Sequence, residues 1–222
     1  MTINKKSLII AGSIACFTAC IGDFFATFFL GEYYPGYSQL HNTMSLLGVT
    51  NSPVSGIIST WWVILGFLII LFALGLNKAF DDEKRYVNVA TWLLIFYGLG
   101  EGIGSGLYKA DHVNNALTTS AIIHEILGSI GIISILILPL IMKKIISAET
   151  SPGFHRFSVI VFIVGLVLMA MFVSRLFHQG NNIFALYKGL WQRLFMLDYY
   201  IYLMVVAIMM IKKQRTEPKL LI

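Results

Sequence analysis

The sequence predicts an all-α membrane protein: a polytopic bundle of six transmembrane helices, with a short interfacial helix in its first outer loop. Three observations carry this prediction. Of 222 residues, 57% are hydrophobic and only 12% charged, whereas a soluble domain averages about 45–50% apolar and about 25% charged. Six apolar stretches are each long enough to cross about 30 Å of hydrocarbon. No alternation of polar and apolar residues over segments of about ten residues marks a β-barrel. The same composition excludes a disordered chain, and two cysteines cannot make a disulfide scaffold.

The spans run over Ser7–Leu30, Val54–Ala79, Val87–Tyr108, Thr119–Ile146, Phe157–Phe177 and Arg193–Ile211. Lys5 and Lys6 precede the first, as they would a signal peptide, but the stretch is too long for one and lacks a small-residue cleavage site. Between the first two spans, Tyr33-Tyr34-Pro35-Gly36-Tyr37 is an aromatic, turn-rich cluster suited to the headgroup region. Leu40, Met44 and Leu47 follow at helical spacing, which predicts the interfacial helix over the outer mouth. In the third span, Gly98, Gly102 and Gly106 share one face and Gly100 and Gly104 another. Small residues four apart let helices approach closely in lipid, so this helix is expected at the centre with neighbours on both sides. No strand precedes these glycines, which excludes a dinucleotide fingerprint. No linker or low-complexity tract separates the spans, so residues 1–222 read as one domain.

The basic residues set the orientation. Twelve of the sixteen, from Lys5 and Lys6 to the tail at Lys212–Lys219, fall on one side, and only Lys109, Arg175, Lys188 and Arg193 on the other. The positive-inside bias then places both termini in the cytoplasm of a cell membrane. The net charge of +5 accordingly reports topology and not a nucleic-acid partner.

Charges inside a span are costly and usually face protein or a water-filled cavity. Here their depths agree. Asp23, Glu101, His124, Glu125, Arg175, His178, Arg193 and Asp198 all fall in the outer half, most within about 10 Å of its boundary at the helical rise. The inner half carries almost none, so a continuous transport pathway is not evident. A desolvated carboxylate has a raised pKa and can act as acid or base, so Asp23, Glu101 and His124 are the candidate catalytic residues. Asp111, Glu125, Arg175, His178, Arg193, Asp198, His41 and Ser45 are candidate ligand contacts.

Tyr34-Pro35-Gly36-Tyr37-Ser38, Ser45-Leu46-Leu47-Gly48 and Asn51-Ser52-Pro53 in the first loop resemble those of the prokaryotic membrane family catalogued as domain of unknown function 998. Asp111 just after the third span, His124 early in the fourth and Gly189-Leu190-Trp191-Gln192-Arg193 at the sixth complete the resemblance, which covers almost the whole chain. It implies a six-helix fold and no particular activity. Leu46 stands where members often carry glutamate, and Tyr108-Lys109-Ala110 where a Phe-Pro pair is common.

Several chemistries compete. His124 with Asp23, Glu101, Asp111 or His178 is a ligand set for a divalent metal that would activate water against a lipid-linked substrate. His124-Glu125 begins like H-E-x-x-H, but Gly128 takes the second histidine place, and neither a G-x-S-x-G elbow nor a P-loop is present. A haem between His124 and His178 ranks lower. Cys16 and Cys20 read as packing residues, and no mid-span lysine offers a Schiff base. A cofactor is therefore not assigned. The favoured expectation is a pocket for a lipid or small amphiphile with hydrolysis as its chemistry. Its rival is a non-catalytic binding, receptor or assembly subunit whose buried charges form a structural network.

Overall fold

The computed structural model describes residues 4–80, 83–114, 116–176 and 182–216. Six helices are long and apolar enough to cross a membrane: α1 (Lys5–Glu32), α2 (Ser55–Ala79), α3 (Lys84–Leu107), α4 (Thr119–Ile145), α5 (Pro152–Leu176) and α6 (Lys188–Thr216). They coincide with the predicted spans and extend several of them. Pro152 opens α5 early, because proline suits the first helical turn, where its missing N–H is not needed. Lys188 opens α6 early, so Gly189–Arg193 lies in the helix and not ahead of it.

Each helix packs on the next, and α6 returns to α1. The six thus close into a ring, with α1, α3 and α5 starting at the end that carries the termini. Phe25, Phe29, Ile57, Phe67 and Ile160 are largely exposed on its outside, while Ser13, Asp23 and Thr27 are buried within. This apolar exterior around a partly polar interior is the arrangement a lipid solvent favours.

Glycine sets the helix spacing, as the sequence predicts for α3. Gly98 and Gly102 meet Gly66 of α2, and Gly106 meets Ser59 and Val63. Gly100 and Gly104 meet Leu127 of α4. One feature is unanticipated: Gly98–Gly104 is π-helical between the α-helical segments Lys84–Tyr97 and Ser105–Leu107. Four glycines in seven residues weaken α-helical preference, and the wider turn carries Glu101 at its middle.

At the end bearing the termini the ring is filled. The Cβ that Gly12 lacks would stand 3.1 Å from the Gly75 Cα, and Met210 of α6 reaches across to α2 at Gly75. Tyr202 shares a 3.0 Å hydrogen bond with Ser158 of α5. At the other end a cap replaces packing. Tyr34-Pro35-Gly36-Tyr37 forms a tight turn closed by a 3.0 Å bond from Tyr37 N–H to the Tyr34 carbonyl, with Gly36 at φ 78°. Proline and glycine at those two positions are what a type II turn requires. The expected interfacial helix is a 3₁₀ helix, Met44–Gly48. Met44 and Leu47, three apart, are buried together, as 3₁₀ geometry allows, whereas Leu40 is exposed outside it. A two-residue hairpin pairs His112–Val113 with Ala116–Leu117 between α3 and α4.

Candidate functional site

The capped half of the ring encloses a cavity of about 270 Å³ to which all six helices contribute. Asp23, from α1, is its most enclosed polar residue, at 1% exposure. Its Oδ1 accepts from Trp61 Nε1 of α2 at 3.0 Å, and its Oδ2 from the Tyr200 hydroxyl of α6 at 2.7 Å. Gly22 makes room for the Trp61 ring. One carboxylate therefore ties three helices.

Glu101 reaches the cavity from the π segment of α3. Its side chain lies in space left by two glycines of α4: Cβ atoms on Gly128 and Gly131 would stand 3.1 Å from Glu101 Oε1 and 3.0 Å from its Cγ. Among the described residues it has no hydrogen-bond partner.

His124 is held by a 2.9 Å bond between its Nδ1 and the Tyr108 carbonyl. A carbonyl only accepts, so Nδ1 carries the proton and Nε2 is left as the free ring nitrogen. Glu125, one residue on, stands 3.9 Å from Arg175 Nη2. That exceeds hydrogen-bond reach.

The two arginines at this end differ sharply. Arg193 donates through Nη1 to the carbonyls of Gln39, Asn42 and Gly189 at 2.6, 3.0 and 3.0 Å, and through Nη2 to the Tyr37 hydroxyl. Arg175 lines the cavity and makes no hydrogen bond with any described residue. Its guanidinium lies over the Phe172 ring, 3.7 Å from the centroid, and its Nη1 is buried without a hydrogen-bond partner among the described residues.

Below this polar group the cavity turns apolar. Ile132, Ile133 and Leu136 of α4 face Met169, Phe172 and Val173 of α5. Ile133 is 55% exposed and Leu176 65% exposed, yet both line the cavity. Its wall thus reaches the lipid-facing surface between α4 and α5. Tyr199 crosses from α6 against Gly165 of α5, and its hydroxyl points to the Leu136 carbonyl of α4 at 3.4 Å.

Asp23, Glu101, His124, Glu125, Arg175 and Ser45 therefore line one cavity, and four other candidates lie outside it. Arg193 holds the cap, with help from its neighbours: Leu190 N–H donates to the Leu40 carbonyl at 3.0 Å, and Gln192 Oε1 accepts from Met44 N–H at 2.8 Å. His41 contacts the Leu186 carbonyl through Nδ1 at 3.0 Å and packs on Tyr187. Asp111 accepts from Thr50 N–H at 2.8 Å and from the Thr50 hydroxyl. Asp198 is half-buried, with Oδ2 lacking a partner among the described residues. His178 lies outside the described residues. Gln192 and Met196 of α6, at every fourth position with Tyr200, and Met169, Phe172, Val173 and Leu176 of α5 also line the cavity; they carry no charge to mark them in the sequence, although their helical spacing marks one face of each helix.

Outside the spans, the loops around the cap have shifted ionisation. Burial raises the Tyr37 hydroxyl above its ordinary range against the pull of Arg193. Burial lowers Lys109, whose Nζ bonds Ser55 and Ser59 at 2.7 Å each, and Asp111 opposes that shift. Asp111 is pushed upward by burial, but its two bonds from Thr50 prevail and hold it below the ordinary carboxylate range.

Among the described residues no three His, Cys, Asp or Glu side chains gather to hold a metal ion. Cys16 and Cys20 are free and buried in α1. Fold and site together define a multi-pass membrane protein with a capped cavity within its helix ring. The chain belongs to the family described as Protein of unknown function (DUF998), which it matches over residues 17–209. No curated protein and no solved structure matches it.

Proposed function

We propose that the protein binds a lipid or another small amphiphile in this cavity, on the outer side of a cell membrane. The observation that carries the reading is the continuity of polar and apolar surface. Glu101, His124 and Arg175 stand at one end, and an apolar wall leads from them to lipid-exposed Ile133. Ligand pockets combine a mostly apolar lining with a few placed polar groups. At about 270 Å³, the space suits a headgroup and the first part of a chain whose remainder stays in the bilayer. The positive-inside bias supports the outward orientation of the cap.

The test is lipid extraction from purified protein followed by mass spectrometry, comparing wild type with Met169→Trp, which fills the apolar wall. A lipid retained near one per chain in wild type and lost in the variant is expected. Equal, substoichiometric retention in both would defeat the reading.

A second reading adds hydrolysis, favoured by the orientation of His124. With Nδ1–H engaged by the Tyr108 carbonyl, Nε2 is positioned as a general base. It would take a proton from a water attacking a bound ester. The new C–O bond forms, the ester C–O bond breaks, and the leaving oxygen receives that proton from the imidazolium. A turnover screen on membrane lipid extract should show a product with wild type and none with His124→Gln, at matched melting temperatures. Unchanged lipids with a retained ligand would leave a binding protein.

A further inference from the structure

We infer that the cavity's ligand is a lipid with a zwitterionic headgroup, one bearing both a phosphate and a primary ammonium. The inference rests on the lipid-binding reading above and concerns which lipid. Two opposite groups line the same cavity without satisfying each other. Arg175 offers five N–H donors and makes no hydrogen bond with the described residues; its nearest acid, Glu125, is 3.9 Å from Nη2. Glu101, on the opposite helix α3, likewise has no hydrogen-bond partner among them, and no ion pair within 4.0 Å joins the two.

Partly buried charges are normally hydrogen-bonded. The contrast with Arg193, whose guanidinium has four acceptors at the same end of the bundle, shows that this fold can saturate an arginine. Asp23 is also saturated, by Trp61 and Tyr200. The groups left without a hydrogen bond among the described residues are therefore a fork of donors on α5, in a long ion pair with Glu125, and a carboxyl on α3.

A phosphate is the planar fork's natural acceptor, since guanidinium groups bind it through paired N–H donors. The stacked Phe172 ring holds the fork in place, with Nη1 buried and without a hydrogen-bond partner among the described residues. An ammonium supplies N–H donors to Glu101 and Glu125. An anionic lipid without an ammonium would satisfy Arg175 and leave Glu101 and Glu125 repelling it. A trimethylated ammonium keeps the charge but offers no N–H donor. The apolar wall that opens beside Ile133 names the source as a lipid and not a free headgroup.

The test titrates detergent-purified full-length protein with isotopically labelled dioleoyl phosphatidylethanolamine, and separately with the phosphatidylglycerol of the same chains. Wild type is expected to bind the ethanolamine lipid about tenfold more tightly, the worth of one charge-assisted hydrogen-bond set. Glu101→Gln should erase that preference by weakening the ethanolamine lipid and relieving the repulsion of the phosphatidylglycerol, and Arg175→Gln should weaken both. Arg175→Lys, which keeps the charge, controls for folding alongside melting temperature. Equal binding of the two lipids, or an equal effect of Glu101→Gln on both, would overturn the headgroup assignment and leave lipid binding standing. Competition by glycerophosphoethanolamine as effective as that of the intact lipid would overturn the lipid source. Retention of neither lipid would overturn the inference together with the reading beneath it.

Discussion

Gly128 leaves the space that the Glu101 carboxylate occupies: a Cβ on that glycine would stand 3.1 Å from Glu101 Oε1. One turn along α4, Gly131 does the same for the Cγ at 3.0 Å, and its own neighbour across the interface is Gly100. Gly100 and Gly131 bring α3 and α4 together, and Gly131 and Gly128 admit an acid between them.

The two kinds of glycine are separable by substitution. Gly100→Ala would drive a methyl into the Leu127 carbonyl oxygen and to 3.0 Å from Gly131 N. Both are backbone atoms that cannot yield, so a loss of about 1–3 kcal/mol is expected, as for overpacked cores. Gly128→Ala meets only the free end of Glu101 and should cost less, because alanine also recovers about 1 kcal/mol of helical preference. Thermal melting in detergent compares the two; an equal fall would contradict the assignment.

Removing the Asp23 acceptor strands two donors. Asp23→Ala leaves Trp61 Nε1–H and the Tyr200 hydroxyl unpaired inside the bundle, at an expected cost of about 1–3 kcal/mol for each group left unmet. Tyr200→Phe removes one donor and should cost about 1 kcal/mol. Combined with Asp23→Ala it should add little, since the partners are shared. An additive double variant in the same melting assay would show that the bond is not what stabilises the site.

Arg193→Lys is not a conservative change here. A lysine ammonium is a compact point charge and cannot span the carbonyls of Gln39 and Asn42 together with the Tyr37 hydroxyl. The cap should loosen by about 2 kcal/mol while the spans stay helical. Limited proteolysis between Gly31 and Pro53, read beside far-ultraviolet circular dichroism, tests this. Unchanged cleavage would remove Arg193 from the clamp.

The contact between Asp111 and Thr50 should fade in acid. The folded carboxyl titrates below its ordinary value, so the folded state binds a proton less readily than the unfolded chain. Its contribution is complete above about pH 4, the unperturbed aspartate value, and is lost as pH falls through the lower folded value. The protection of the Thr50 amide against hydrogen exchange, taken relative to the intrinsic rate at each pH, should fall in that acid range. Asp111→Asn should show low protection already at neutral pH and the same protection across the series.

Depth along the helices is readable from the sequence, but angular position around each axis decides which of those charges reach the cavity. Asp23, Glu101 and His124 occupy one layer in the structure because costly charges in lipid have few places to go. Asp198 shares their depth but stands two residues from Tyr200, roughly 200° around the helix, and so misses the cavity that Tyr200 lines. The role of Arg193 was hidden for another reason. Two of its acceptors are backbone carbonyls some 150 residues earlier, and carbonyls carry no residue-type signal. Tyr34–Ser38 and Gly189–Arg193 stand far apart in the sequence; the fold makes them two sides of one clamp. The π segment was equally hidden, since a run of glycines fits a close-packed α-helix just as well.

That segment lets α3 hold more chain than a regular helix of the same length. A short π turn within an α-helix accommodates a local excess of chain. Deleting Gly104 would remove that excess and let α3 run on as regular helix. Tyr108, whose carbonyl orients His124, and Lys109, whose amine reaches Ser55 and Ser59, would keep their places. The change would fall on the segment itself, where Glu101 would lose the wide turn that carries it into the cavity. A one-glycine deletion would thus withdraw the acid while leaving the helix and the cap standing.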